Sequence, residues 1–167
     1  MIDPKFPKVP IPDPEAFPVD EDEITVNLRR SQFPEMESDR PRVLLIDDDP
    51  AILRMGVRLL GHECMVDTAR NAEQALALLS WKNYHVVITD HRLEGSDGLW
   101  LLEFIERRHP LTRRVIHTAD SPDLLAKHVD SGLVQHFVAK PASRTELITP
   151  VNLFFEKDLQ TRETPVP

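Results

Sequence analysis

The stretch VVITDHRLEGSDGL, residues 86–99, decides how this chain is read. Val86, Val87 and Ile88 form an apolar run that stops at Thr89 and Asp90, after which the sequence turns charged and glycine-bearing. A short, uninterrupted apolar run bounded by turn residues fits a strand buried on both faces. A lone acid at the tip of such a strand could do no more than cap a turn. Its meaning depends on what else the chain brings to the same place.

Working outward, the same pattern repeats. RVLLID (42–47) is another apolar run ending in acids, and DPAILRMGVRLLG (49–61) follows with Asp49 as N-cap, Pro50 in the first turn and Gly61 as the stop. CMVDTA (64–69) reads as a second strand, and NAEQALALLS (71–80) as a helix capped by Asn71. HVVITD (85–90) is the third strand and DGLWLLEFIERRH (97–109) the third helix, stopped by Pro110. RRVIHTAD (113–120), SPDLLAKHVDSG (121–132) and VQHFVAK (134–140) follow as strand, helix and strand. A last helix opens at Ser143 with Glu146 three residues on, a capping-box pattern. Strands alternating with helices in this way predict an α/β fold: a doubly wound, five-stranded parallel sheet joined by right-handed crossovers and covered by five helices.

The bulk numbers fit one such domain with something left over. The chain has 167 residues, 41% apolar and 29% charged, as in an ordinary soluble domain. A formal charge of −8 argues against direct nucleic-acid or anionic-lipid partners. No apolar run approaches the roughly 18 residues needed to span a bilayer, the amino terminus has no signal core, and the single Cys64 fits a reducing compartment. These point to the cytoplasm without membrane insertion. Residues 1–40 hold seven of the fifteen prolines, no glycine and twice as many acids as bases, which predicts an extended N-terminal arm. Within it, Ile24, Val26 and Leu28 alternate with polar residues, so 24–28 is either an edge strand or a coil that happens to alternate. The domain is expected over 41–157, with 158–167 as a tail.

In parallel sheets of this kind function gathers at the carboxyl ends of the strands, where strand order reverses. The polar residues there are Asp47 and Asp48 after strand one, Asp90 after strand three, Thr118 on strand four and Lys140 on strand five. Crowded carboxylates repel unless one is protonated or a cation sits among them. Oxygen-only ligands without His or Cys suit a hard cation, Mg²⁺ most naturally. Lys140 and Thr118 then serve something anionic and oxygen-rich arriving beside the metal, and a phosphoryl group fits. Asp90, at the tip of the central strand, is the natural nucleophile, forming an acyl phosphate.

VLLIDDDP, VVITDHRLEGSDGL, IHTAD and HFVAKP, in this order and spacing, resemble the four signatures of the response-regulator receiver domain of two-component signalling, over about residues 41–157. The resemblance implies a flavodoxin-like receiver fold that takes phosphoryl from a sensor histidine kinase or phosphotransfer protein. It implies Asp90 as phosphoacceptor and Asp47 and Asp48 as the acidic pair, Asp48 touching Mg²⁺ directly. The backbone carbonyl of Arg92 would be the third metal ligand, Thr118 and Lys140 the phosphoryl-sensing pair, and Phe137 the aromatic switch.

Three departures from the family pattern stand out. Glu94 replaces the usual proline four residues after the acceptor and adds charge near the site. Arg92 and Asp120, two positions after the acceptor and after Thr118, could pair across the mouth and modulate the phosphoryl group's lifetime. Pro150 falls inside the last helix, where it removes one backbone bond at a cost of roughly 3 kcal/mol if the helix stays straight. A kink or break is expected there, at the face through which the family forms homodimers.

Other residues read more plainly. None of the seven histidines is ligand-spaced with a cysteine or carboxylate, so no zinc site is expected. Cys64 reads as core, Trp100 and Phe104 as a packed pair one turn apart, and Phe154 and Phe155 as the apolar face of the last helix or, in part, a contact surface. Two rival functions compete. IDDDPAI approximates the nucleophile motif of haloacid-dehalogenase-type phosphatases, although Ala51 stands where that motif wants Thr or Val. The other rival is a receiver-fold docking module that uses no phosphate. The ten residues after 157 cannot hold an output domain, so signalling is expected through an unidentified downstream protein.

Overall fold

A computed structural model describes residues 40–163, and side chains as far as residue 156. The proposed arm 1–39, its strand at 24–28, and the last four residues lie outside the described part. The elements run β1 (Arg42–Ile46), α1 (Pro50–Leu60), β2 (Met65–Ala69), α2 (Ala72–Trp81), β3 (Val86–Thr89), β4 (Arg92–Leu93), β5 (Ser96–Asp97), α3 (Gly98–Arg108), β6 (Arg113–Thr118), α4 (Pro122–Asp130), β7 (His136–Ala139) and α5 (Arg144–Glu163).

The main sheet is parallel and five-stranded, in the order β2-β1-β3-β6-β7. From β1 the chain goes to one side for β2 and to the other for β3, so strand order reverses beside β1 and β3. The expected doubly wound fold is what forms. The continuous apolar runs follow from burial on both faces. Leu44, Ile46, Val87 and Ile116 face a core completed by Ala75 and Leu79 of α2, Leu102 and Ile105 of α3 and Leu125 of α4. Val43, Leu45, Ile88 and Val115 face the opposite core with Leu53 and Leu60 of α1 and Leu147, Ile148, Val151 and Phe154 of α5. Cys64 is buried in the second core, and burial pushes its thiol up to about 11. No described helix is long and apolar enough to cross a membrane.

Helix starts sit where the caps predict. Asp49 accepts from the Ala51 amide at 2.7 Å and Asn71 from Gln74 at 2.9 Å. At α5 the capping box closes: Glu146 Oε2 accepts from the Ser143 amide at 2.7 Å, and Ser143 Oγ accepts from the Glu146 amide at 3.3 Å. At the far end of the sheet Arg114, 5% exposed, donates to Leu133 O (2.9 Å), Gly132 O (3.1 Å) and Glu106 Oε1 (3.0 Å), tying α3 and the α4–β7 turn to β6.

Two features depart from the sequence reading. The β4–β5 hairpin was not anticipated; it is a two-residue antiparallel pair closed through Gly95 at φ 76°, a conformation only glycine takes readily. Of the kink or break expected at Pro150, no break occurs: α5 runs unbroken from Arg144 to Glu163, past residue 157. Pro150 is buried and flanked by Leu147, Ile148 and Val151, all seated in the second core, so packing outweighs the lost bond. The hydroxyl of Thr149 bonds back to Thr145 O at 2.7 Å in the same turn.

Replacing Pro150 with Ala restores an amide donor to α5 at the expense of a little buried surface. Urea unfolding should show Pro150→Ala more stable by about 1–2 kcal/mol. A variant less stable than the parent would mean that the packing of the Pro150 ring contributes more to α5 than the restored amide does.

Candidate functional site

The carboxyl ends of β1, β3, β6 and β7 converge because the strands are parallel and in register. Ile46 pairs with Thr89, Thr89 with Ile116, and Thr118 with Ala139, so Asp47, Asp90 and Lys140 leave the sheet together. The loops that follow are tightly held. The Asp90 amide bonds to Ile46 O at 3.0 Å, the Asp47 amide to Ala69 O at 3.1 Å, and the Lys140 amide to Thr118 O at 2.8 Å. Beyond Asp90 the Gly98 amide, at the start of α3, bonds to His91 O at 2.7 Å. A Cβ at Gly98 would strike the Asp90 carbonyl oxygen, so this glycine is what lets α3 approach the acid's backbone.

Lys140 Nζ stands 2.6 Å from Asp47 Oδ2 and 2.6 Å from Asp90 Oδ2. Asp47 is 1% exposed and also accepts from the Asp49 amide at 2.9 Å. Burial acts most strongly on Asp47 and leaves its carboxyl above the usual range despite Lys140. For Lys140, burial acts downward, but the bonds to Asp47 and Asp90 outweigh it and hold the ammonium above its ordinary value. Asp48 completes the cluster: one oxygen from each of Asp47, Asp48 and Asp90 lies within 4.8 Å of the others. Three oxygen donors at that spacing, with no His or Cys among them, fit a hard divalent cation.

Around the cluster, Thr118 is buried and its Oγ1 accepts from the Asp120 amide at 3.3 Å. Arg92 and Asp120 pair, Nε to Oδ2, at 3.1 Å, and the Arg92 amide lies 3.4 Å from Asp90 Oδ1. Phe137 is half-buried against the first core. Glu94, on the β4–β5 turn, lines a cleft of about 250 Å³ with Asp48, Arg70, Asn71 and Gln74. The candidate site residues named from the sequence therefore gather at one edge, except Phe137, which lies beneath it. Elsewhere, Trp100 and Phe104 are half-buried with centroids 6.3 Å apart. Phe154 is buried beneath Arg113, and Phe155 meets His85 edge-on at 5.0 Å.

Two histidines escaped the sequence reading. His91 Nδ1 lies 2.7 Å from Asp120 Oδ2. The hydrogen bond from His91, with Arg92 behind it, holds the Asp120 carboxyl below the usual range. His117 is 2% exposed, and neither ring nitrogen has a hydrogen-bond partner among the described residues. Strand alternation puts it on the face of Val115, in the row that follows Thr89 and Ile116, beside Asp90. Burial, reinforced by Lys140, lowers its pKa to about 4. Its only signal in the sequence is a histidine two residues after Val115, on the same face of the run RRVIHT.

Fold and site together define a receiver-type α/β domain. The chain belongs to the response regulator receiver domain family, which matches residues 43–152. It is 33% identical over 115 residues to the response regulator protein PilR of Pseudomonas aeruginosa, covering 60% of this chain and 26% of that protein. It is 39% identical over 80 residues to the DNA-binding transcriptional regulator NtrC of Salmonella typhimurium, 47% of this chain and 17% of that protein. Among solved structures, the signal receiver domain of an HD domain-containing protein from Pseudomonas fluorescens Pf-5 superposes with a TM-score of 0.68 at 32% identity, over 77% of this chain and 96% of that one. The chain spans about a quarter or less of the length of these two curated relatives. Aspartyl phosphorylation and Mg²⁺ binding are typical of the family.

The buried His117 makes a pH-dependent prediction. Its folded pKa of about 4 lies below an unfolded value of roughly 6.5, so the unfolded chain binds the proton first as pH falls. Stability is then lost between pH 6.5 and 4, by roughly 3 kcal/mol from this group. His117→Leu should be more stable than the parent at pH 7 by about 1–3 kcal/mol, because it removes unpartnered buried nitrogens. Its advantage should widen on acidification. Unfolding curves at several pH values that keep a constant gap between the two proteins would rule out this account of His117.

Proposed function

We propose that this domain accepts a phosphoryl group on Asp90 from a sensor histidine kinase or phosphotransfer protein and signals through phosphorylation-dependent binding of a downstream protein. The observation that carries the reading is the ammonium of Lys140 between Asp47 and Asp90, with Asp48 beside them, at the edge where the strand order reverses. In this reading the domain occupies 41–157 and works in the cytoplasm, and its chemistry is confined to its own phosphorylation and dephosphorylation.

Asp47, Asp48, Asp90 and the Arg92 carbonyl would hold Mg²⁺, which neutralises the charge gathered on the phosphoryl oxygens. An Asp90 carboxylate oxygen attacks phosphorus in line, the P–N bond of the phosphohistidine breaks, and its electron pair stays on the departing imidazole. Lys140 exchanges its contact with Asp90 for a phosphoryl oxygen. Thr118 Oγ1 accepts from the Asp120 amide, which leaves its own proton free to donate to another phosphoryl oxygen. Movement of Thr118 toward the phosphoryl group opens space for Phe137, one strand over, to turn inward. Glu94 adds negative charge beside Asp48 and disfavours close approach of anionic donors.

Incubation with Mg²⁺ and acetyl phosphate should add one phosphoryl group, and Asp90→Asn should take none. Labelling that persists in Asp90→Asn would overturn the assignment, and labelling on Asp47 would favour the dehalogenase-type reading instead.

In this reading the Arg92–Asp120 pair, 3.1 Å apart and two positions after Asp90 and Thr118 respectively, obstructs the water that would hydrolyse the acyl phosphate. The acyl phosphate of the Arg92→Ala, Asp120→Ala double variant should decay about tenfold faster, equivalent to about 1.4 kcal/mol on the barrier. Decay timed at equal Mg²⁺ that is unchanged, or slower, would remove the shielding role.

A further inference from the structure

His91 follows Asp90 directly and is fixed at both ends. Its carbonyl accepts from the Gly98 amide at 2.7 Å, and its ring, 18% exposed, lies between two acids. Nδ1 is 2.7 Å from Asp120 Oδ2 and Nε2 is 4.0 Å from Asp97 Oδ1. The Asp120 carboxylate can only accept, so the proton of this short bond belongs to Nδ1 of His91. Asp97 Oδ1 is already committed to the Leu99 amide at 2.8 Å as cap of α3.

The same oxygen, Asp120 Oδ2, receives Arg92 Nε at 3.1 Å. Arg92 is 71% exposed, and an ion pair so open contributes little by itself, because two mobile chains must be held in one geometry. Asp120 is not mobile. It is 19% exposed, its amide is bonded to Thr118 Oγ1, and its carboxylate is held by His91 before Arg92 arrives. Only Arg92 then has ordering to lose, which favours the pair.

We infer that His91 is a positioning residue for turnover of the acyl phosphate: its Nδ1 fixes the Asp120 carboxylate, which in turn seats Arg92 across the water's approach to Asp90. This rests on the phosphoacceptor reading of Asp90 and adds a residue to it. In the step concerned, a water oxygen forms a bond to phosphorus and the bond from phosphorus to the Asp90 oxygen breaks. The electron pair returns to the Asp90 carboxylate, and the water's proton leaves with inorganic phosphate or to solvent. His91 touches none of these atoms and acts only through Asp120.

The test compares the parent with His91→Ala, His91→Asn and His91→Gln, each also made together with Asp120→Ala. The proteins are phosphorylated with acetyl phosphate and Mg²⁺, freed of donor, and followed for loss of the phosphoryl group at equal Mg²⁺. Asn places an N–H donor close to where Nδ1 stands, whereas Gln places it near Nε2. His91→Ala and His91→Gln should lose phosphoryl about two- to fivefold faster than the parent, while His91→Asn keeps the parent's rate. In the Asp120→Ala background all should decay alike. An unchanged rate in His91→Ala, a failure of Asn to rescue, or an equal effect without Asp120 would each overturn the inference and leave Asp90 as acceptor. A parent protein that takes no phosphoryl group refutes the phosphoacceptor reading, and this inference with it.

Discussion

The ammonium of Lys140 stands 2.6 Å from carboxylates on two different strands, Asp47 after β1 and Asp90 after β3, and the rest of the edge is arranged around that contact. Parallel carboxylates crowded at one sheet edge repel one another, and the repulsion strengthens as water is excluded. Asp47 is almost wholly buried, and burial holds its carboxyl above the usual range even with Lys140 in contact. One lysine, delivered by the last strand of the sheet, makes the cluster tolerable. It also leaves the three-carboxylate cluster of Asp47, Asp48 and Asp90 short of positive charge, a donor set that could hold a metal ion.

Strand order makes this geometry available. β1 and β3 are neighbours in the sheet but are separated in the chain by β2 and two helices, and β7 arrives from the far side through β6. The lysine therefore has to cross over β6, and the residues it passes are Thr118 and His117. Thr118 is tied to Lys140 through its carbonyl and to Asp120 through its hydroxyl, which links the acid cluster to the β6–α4 turn by hydrogen bonds. α4 buries only Leu125 among its residues and leaves Leu124 and Val129 exposed, so little apolar contact resists its movement.

Much of this was legible in the sequence because it depends on local patterns. The unbroken apolar runs of β1, β3 and β6 give buried parallel strands, and the caps Asp49, Asn71 and Ser143 mark helix starts. Once the strands are parallel, polar residues directly after them must share an edge, which brings Asp47, Asp48, Asp90, Thr118 and Lys140 together. What stayed hidden depends on distant parts of the chain. The bond between His91 and Asp120 joins residues 29 apart and exists only because two loops meet. The β4–β5 hairpin is too short for any periodicity. At Pro150 the helix continues without a break, because three apolar neighbours already committed to the core outweigh one missing amide.

In the proposed reading Lys140 and a divalent cation neutralise the same carboxylates. Thermal unfolding of the parent and of Lys140→Ala, each across a range of Mg²⁺ concentrations, tests it most directly. A ligand that binds only the folded state raises stability with its concentration. Mg²⁺ should stabilise both proteins, and Lys140→Ala should respond at lower Mg²⁺ because its carboxylates have lost their internal counter-charge. Melting temperatures indifferent to Mg²⁺, or a parent that responds at lower concentration than Lys140→Ala, would contradict the account.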